Sequence, residues 1–183
     1  MKAKKISTDR TLGVSAMLIS LLTLIIFIYQ TNIMREQSKL SVKPRLDFTL
    51  NQGGNDSIIV FQQVIENKGL GPAIIDSIFF KYNGKAFSLD TEKFLGDELP
   101  KLLEYGYLSQ HATLGSGTTL TANEERSIYT YKVSADSLDL VTTYLNMGPD
   151  NDIPFDIEVV YSSIYEDELW KVTSNSSQPT KLD

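Results

Sequence analysis

The chain has 183 residues, 42% hydrophobic and 22% charged, with a formal net charge of −6 at pH 7 and no cysteine. That length and apolar content suit one domain plus an appendage rather than a disordered tail, and the missing thiols exclude disulfides and CxxC chemistry. Charge is divided: residues 1–45 hold eight Lys or Arg against Asp9 and Glu36, and the remainder holds nine basic against 21 acidic residues. A body this acidic repels polyphosphate, so no nucleic-acid partner is expected.

Residues 1–10 form a basic tail, and residues 11–33 read as a transmembrane helix. Leu12 to Tyr29 carries no charged side chain, and roughly 20 apolar residues at about 1.5 Å each cross a hydrocarbon layer of about 30 Å. Ser15, Ser20 and Thr23 interrupt the run, but their hydroxyls bond back to the helix. The following "QTNIMREQSKL" offers no small-residue cleavage site, so an uncleaved anchor is expected. Lys2, Lys4, Lys5 and Arg10 precede the span, and Arg35, Lys39, Lys43 and Arg45 follow it. The shortness of the basic tail favours an inside amino terminus and an outside domain, as a single-pass protein of the inner membrane.

Residues 34–45 read as a juxtamembrane helix and linker ended by Pro44. Residues 46–173 read as a soluble domain of short strands. "RLDFTL" and "SIIVFQQVIEN" flank the turn "NQGGND", and "AIIDSIFFKY" closes on the hairpin dipeptide Asn83-Gly84. Between them "ENKGLGPA" holds a lone GxG. A strand rather than a helix follows it, so Gly69 and Gly71 read as a corner of the sheet and not as a phosphate cradle.

"DTEKFLGDELPKLLEYGYLSQ" takes a helical habit, with Pro100 in a first turn and Leu99, Leu102, Leu103 and Tyr107 as its apolar stripe. "TTLTANEERSIYTYKV" reads as another hairpin. Ser134 is positioned to cap a helix through Leu138, Val141 and Leu145 that Gly148-Pro149 stops. In "FDIEVVYSS" Phe155, Ile157, Val159 and Tyr161 alternate with polar positions, and the acidic turn "YEDE" leads to a last strand, "LWKV". Residues 174–183 read as a fraying, flexible tail. The expected fold is mainly β: an amino-terminal transmembrane helix, then a small antiparallel, Ig-like β-sandwich with two helical insertions.

Candidates for chemistry are few. His111 is the only histidine, in a segment that reads as loop, and one such residue cannot supply a zinc site. Asp150, Asp152 and Asp156 in "GPDNDIPFDIE" are close enough in sequence to hold a calcium ion, yet the loop lacks the glycine and glutamate of an EF-hand, and an acidic turn is the simpler reading. Ser41 and Lys43 lack the surroundings of a catalytic dyad. Tyr161, Tyr165 and Trp170 are large amphipathic residues near the last hairpin and form a candidate partner-binding edge, although plain packing is the stronger explanation.

At "IYQTNIMREQSKLSVKPRLDF", "ENKGLGPAIIDSIFFKYNGK" and "IEVVYSSIYEDELWKV" the chain resembles uncharacterised bacterial proteins with one amino-terminal span and a C-terminal β-sandwich-like domain. The YQTxxMREQ junction, the NxGxGPA turn and the YSSxY…W hairpin carry the likeness, which implies the same layout and no assigned catalytic residues. The expected function is a membrane-anchored, non-enzymatic interaction or sensing module, held in the bilayer by residues 11–33, with a protein partner and no cofactor. The alternative is a tethered domain binding a small ligand or divalent cation.

Overall fold

A computed structural model describes residues 8–112, 114–145 and 154–182. Helix α1, Thr8–Ser41, is one compact unit, and the domain from Val42 onward is another. Every large apolar side chain from Leu12 to Tyr29 on α1 is exposed, so no protein core explains the run, and the helix is long and apolar enough to cross a membrane. Its hydroxyls bond backwards as expected: Ser15 Oγ donates to the Thr11 carbonyl at 2.6 Å and Thr23 Oγ1 to that of Ile19 at 2.8 Å.

The domain consists of two antiparallel sheets whose inner faces share one core. Strands β1 (Leu46–Gly54), β2 (Ile58–Asn67), β7 (Glu125–Ser134) and β5 (Gly106–His111) lie in the order β1-β2-β7-β5. The second sheet runs β10-β9-β8-β3-β4, from β10 (Ser176–Leu182), β9 (Leu169–Thr173) and β8 (Asp156–Ser162) to β3 (Ala73–Tyr82) and β4 (Lys85–Ser88). The short β6 (Thr119–Leu120) pairs with the start of β3. Alternation decides which residues enter the core: Ile157, Val159 and Tyr161 of β8 face Phe48, Ile65 and Ile128 of the other sheet inside a single cluster.

The β3–β4 hairpin turns on Asn83 (φ 49°) and Gly84 (φ 74°), both left-handed as the dipeptide predicts. Helix α2 (Thr91–Glu98) is capped by Asp90, whose carboxylate accepts from the Lys93 N–H at 3.1 Å, and α3 (Pro100–Tyr105) starts on its proline. A 3₁₀ turn (Ala135–Ser137) then leads into α4 (Leu138–Tyr144).

Five expectations need correction. The helical habit of residues 90–110 ends at Tyr105: Tyr107 sits on β5, exposed, and His111 lies in that strand rather than in a loop. Pairing with β7 overrides local propensity there. The segment "TTLTANEERSIYTYKV" is no hairpin, because Thr119–Leu120 joins β3 and Glu125–Ser134 joins β2 and β5, so the chain crosses from one sheet to the other. Ser134 makes no side-chain cap to the turn that follows it. The carboxy-terminal segment expected to fray instead forms β10, with Thr180, Lys181 and Leu182 opposite Lys171, Trp170 and Leu169. Gly148-Pro149 lies outside the described residues.

Candidate functional site

Two places in the domain stand out as candidate sites. The first is the end at which the chain enters it. There Asn67, completely buried, uses its whole side chain. Its Oδ1 accepts from the backbone N–H groups of Arg45 (3.2 Å) and Gly69 (3.0 Å), while its Nδ2 donates to the carbonyls of Gly71 (2.8 Å) and Leu120 (3.0 Å). The Leu70 N–H donates to the Lys43 carbonyl and the Lys68 N–H to that of Arg45, so the lead-in Val42–Arg45 lies directly along the GxG turn. Neither glycine has a positive φ. A Cβ on Gly69 would come within 2.3 Å of the Arg45 nitrogen, and one on Gly71 within 2.0 Å of the Val42 carbonyl oxygen. The glycines are therefore needed for backbone approach rather than for an unusual bend, and the N–H groups of Asn67, Lys68, Gly69 and Leu70 are already engaged within the protein.

Of the proposed partner-binding residues, Tyr161 is in the core and its hydroxyl accepts the Leu46 N–H at 3.3 Å. Trp170 is half-buried, with the Lys43 ammonium 4.0 Å from its ring centroid, a cation–π contact that also places Lys43. Only Tyr165 is exposed, in the β8–β9 turn beside exposed Ile164. The three therefore do not make one edge. Of the acidic candidates, Asp150 and Asp152 lie outside the described residues. Asp156 is committed to the β8–β9 frame: its Oδ1 accepts from Ser174 Oγ (2.7 Å) and the Asn175 N–H (3.1 Å). On the outer face of the second sheet, buried Glu158 pairs with Lys81 and lies 3.8 Å from Lys171, which neutralises it across three strands.

The second place is a cavity of about 40 Å³ between the first sheet and the helices, walled by Phe61, Leu95, Leu102, Tyr129, Tyr131 and Phe155. Thr91, the first residue of α2, also lines it. It is 2% exposed, and its hydroxyl has no hydrogen-bond partner. Tyr131 is satisfied, donating to the Leu102 carbonyl at 2.6 Å, and burial pushes its phenol up to about 12. Tyr129 is driven upward by burial alone. Tyr161 is also raised to about 12 by burial, against the opposing effects of the Leu46 N–H and the Arg45 charge. Sequence reasoning missed this cavity because Thr91 and Tyr129 are brought together only by the return of α2 over the first sheet. No short-range spacing encodes that.

No family model matches this chain, and no curated protein matches it either.

Proposed function

We propose that the chain is a membrane-anchored, non-enzymatic interaction module: α1 spans the bilayer once, and an Ig-like β domain is presented at its surface, outside, with the amino terminus inside. The observation that carries this reading is the unbroken exposure of apolar side chains from Leu12 to Tyr29, which water does not tolerate on a monomer. Tethering raises local concentration, so a module of this kind needs only modest affinity for its protein partner. Photo-crosslinking of the full chain in native membranes tests it. One recurrent crosslinked protein is expected. Recovery of the intact chain as a detergent-free monomer in the soluble fraction overturns it.

A second reading, a small-ligand site, is favoured by the apolar cavity beside Thr91, whose buried hydroxyl has no hydrogen-bond partner. The ligand class is a small uncharged molecule with one hydrogen-bonding group. A cavity of about 40 Å³ is too small for an aromatic ring, so methanol and ethanol are the probes. A rise in the melting temperature that Thr91→Val abolishes supports the reading, and a melting temperature indifferent to every probe removes it.

A further inference from the structure

Among the described residues the two sheets leave four strand edges, and three of the four are protected against pairing with another chain. Strands β1 and β10, each the last of its sheet, approach one another, and β10 carries Pro179 and Lys181 within its ladder. Strand β4 is only four residues long and opens on Lys85. Strand β5 ends the first sheet on its other side and has none of these devices: Gly106–His111 holds no proline and no Asp, Glu, Lys or Arg. Tyr107 is 54% exposed, and Ser109, Gln110 and His111 are exposed after it, which leaves this edge open to solvent.

We infer that β5 is the docking edge of the interaction module proposed above, and on that reading an extended, basic segment of a protein partner adds to it as a fifth strand of the first sheet. An edge strand offers a row of outward N–H and C=O groups, and a peptide that pairs with them gains backbone hydrogen bonds whatever its sequence. Six residues give about 20 Å of ladder. Apolar contact comes from Leu103, exposed on α3 just before the strand, and from Tyr107 on the strand itself. The one irregularity is a bulge at Ser109, whose Oγ donates to the Thr130 carbonyl at 3.3 Å. On either side of it residues 106–108 and 110–111 stay paired with β7.

Charge favours a basic partner segment over a second copy of this chain. After residue 45 the chain holds nine basic against 21 acidic residues, so two copies brought edge to edge repel each other. Helices α2 and α3, which pack beside β5, and α4, which packs on α3, keep this sign. They carry Glu92, Asp97, Glu98, Glu104 and Asp139 against Lys93 and Lys101, and Lys132 of β7, opposite Tyr107, offsets them only in part. Lys101 is itself committed to the Tyr144 ring, 5.4 Å from its centroid. A segment bearing lysine or arginine on alternate positions therefore meets an acidic flank, and no like charge on β5.

The probe is a blocked peptide of alternating valine and lysine, with one of alternating valine and glutamate as its control, added to the full chain in mild detergent. The lysine peptide is expected to slow amide hydrogen exchange of residues 106–111 several-fold and to leave residues 85–88 and 176–182 unchanged, whereas the glutamate peptide does neither. The Tyr107→Lys/Gln110→Lys variant puts like charge on the edge and is expected to weaken binding by roughly tenfold or more at an unchanged melting temperature. Ala86→Lys, on β4, is expected to leave it unaltered. Protection of β4 or β10 in place of β5, protection that the glutamate peptide also gives, or no protection at millimolar peptide overturns the docking edge. Protection of residues 106–111 that needs no peptide and rises with protein concentration assigns the edge to a second copy and overturns it likewise. Photo-crosslinkers at Tyr107 and Gln110 in native membranes separate the edge from the module. A recurrent partner captured from other positions but not from these two overturns the edge alone, and no partner from any position overturns the module.

Discussion

Asn67 and Thr91 are both buried polar residues, and their surroundings are opposite. Around Asn67 four hydrogen bonds use every donor and acceptor of the amide, and the backbone of the lead-in closes on two glycines with no spare room. Around Thr91 the neighbours are apolar, space remains, and the hydroxyl is left without a partner. A fully satisfied buried network specifies one structure, whereas a half-satisfied one costs stability and is retained for another reason. The first region fixes the path of Val42 to Arg45 along the domain. The second is where the proposed small-ligand reading can be tested.

The contrast is broken most directly at Asn67. Asn67→Ala leaves two N–H groups and two carbonyls without their partner around a completely buried side chain, and a loss of up to about 4 kcal/mol is expected at roughly 1 kcal/mol per group. Urea unfolding of the purified protein measures it, and a loss below about 1 kcal/mol would show that the network is dispensable. Gly71→Ala acts on the same region by overpacking. The added methyl meets the rigid backbone at Val42, so the upper part of the usual range, about 3 kcal/mol, is expected. Gly84→Ala is the informative control, because its added Cβ meets nothing and only the left-handed φ is strained.

Alkaline titration compares the two regions with each other, since Tyr161 belongs to the first and Tyr131 to the second. Each is raised to about 12, and an unfolded tyrosine titrates near 10. A folded pKa above the unfolded one means that the stability is fully present below about pH 10 and is lost as the pH rises towards 12. Two units in one phenol correspond to about 2 to 3 kcal/mol. Tyr161→Phe is expected to flatten part of that alkaline loss while costing about 1 kcal/mol at neutral pH, where the Leu46 N–H loses its acceptor. An unchanged alkaline profile in the Phe variant would show that Tyr161 ionises freely.

The legible parts of the fold were those written in local pattern. An uncharged run of helical length, the alternation through Ile157, Val159 and Tyr161, and the Asn83-Gly84 turn each depend on neighbours a few residues apart. What escaped depends on residues far apart. Tyr107 continues a helical stripe by spacing but is drawn into β5 by β7. Thr119–Leu120 looks like half of a hairpin but pairs with β3 in the other sheet. The polar tail becomes β10 because β9 offers it an open edge. The candidate site follows the same rule. Gly69 and Gly71 were recognisable as a corner, but their steric reason lies in Val42 to Arg45, and the Thr91 cavity has no sequence signal. Tyr161 and Trp170 have the composition of an interface yet serve the core, because the parity of β8 and β9 turns them inward.

The smallest effect is the most discriminating. Thr91→Val replaces an unpartnered buried hydroxyl by a methyl of the same shape. If the cavity were mere packing, burial of the hydroxyl would bring only a penalty, and the substitution should stabilise the protein by about 1 kcal/mol. If the hydroxyl serves a bound molecule, the same gain appears in the ligand-free protein, but the valine variant then loses the stabilisation that methanol or ethanol confers on the parent, reversing the order of the two melting temperatures under saturating probe. Measuring both proteins with and without the probe separates the cases. A reversal assigns the cavity to binding, and a constant offset assigns it to the core.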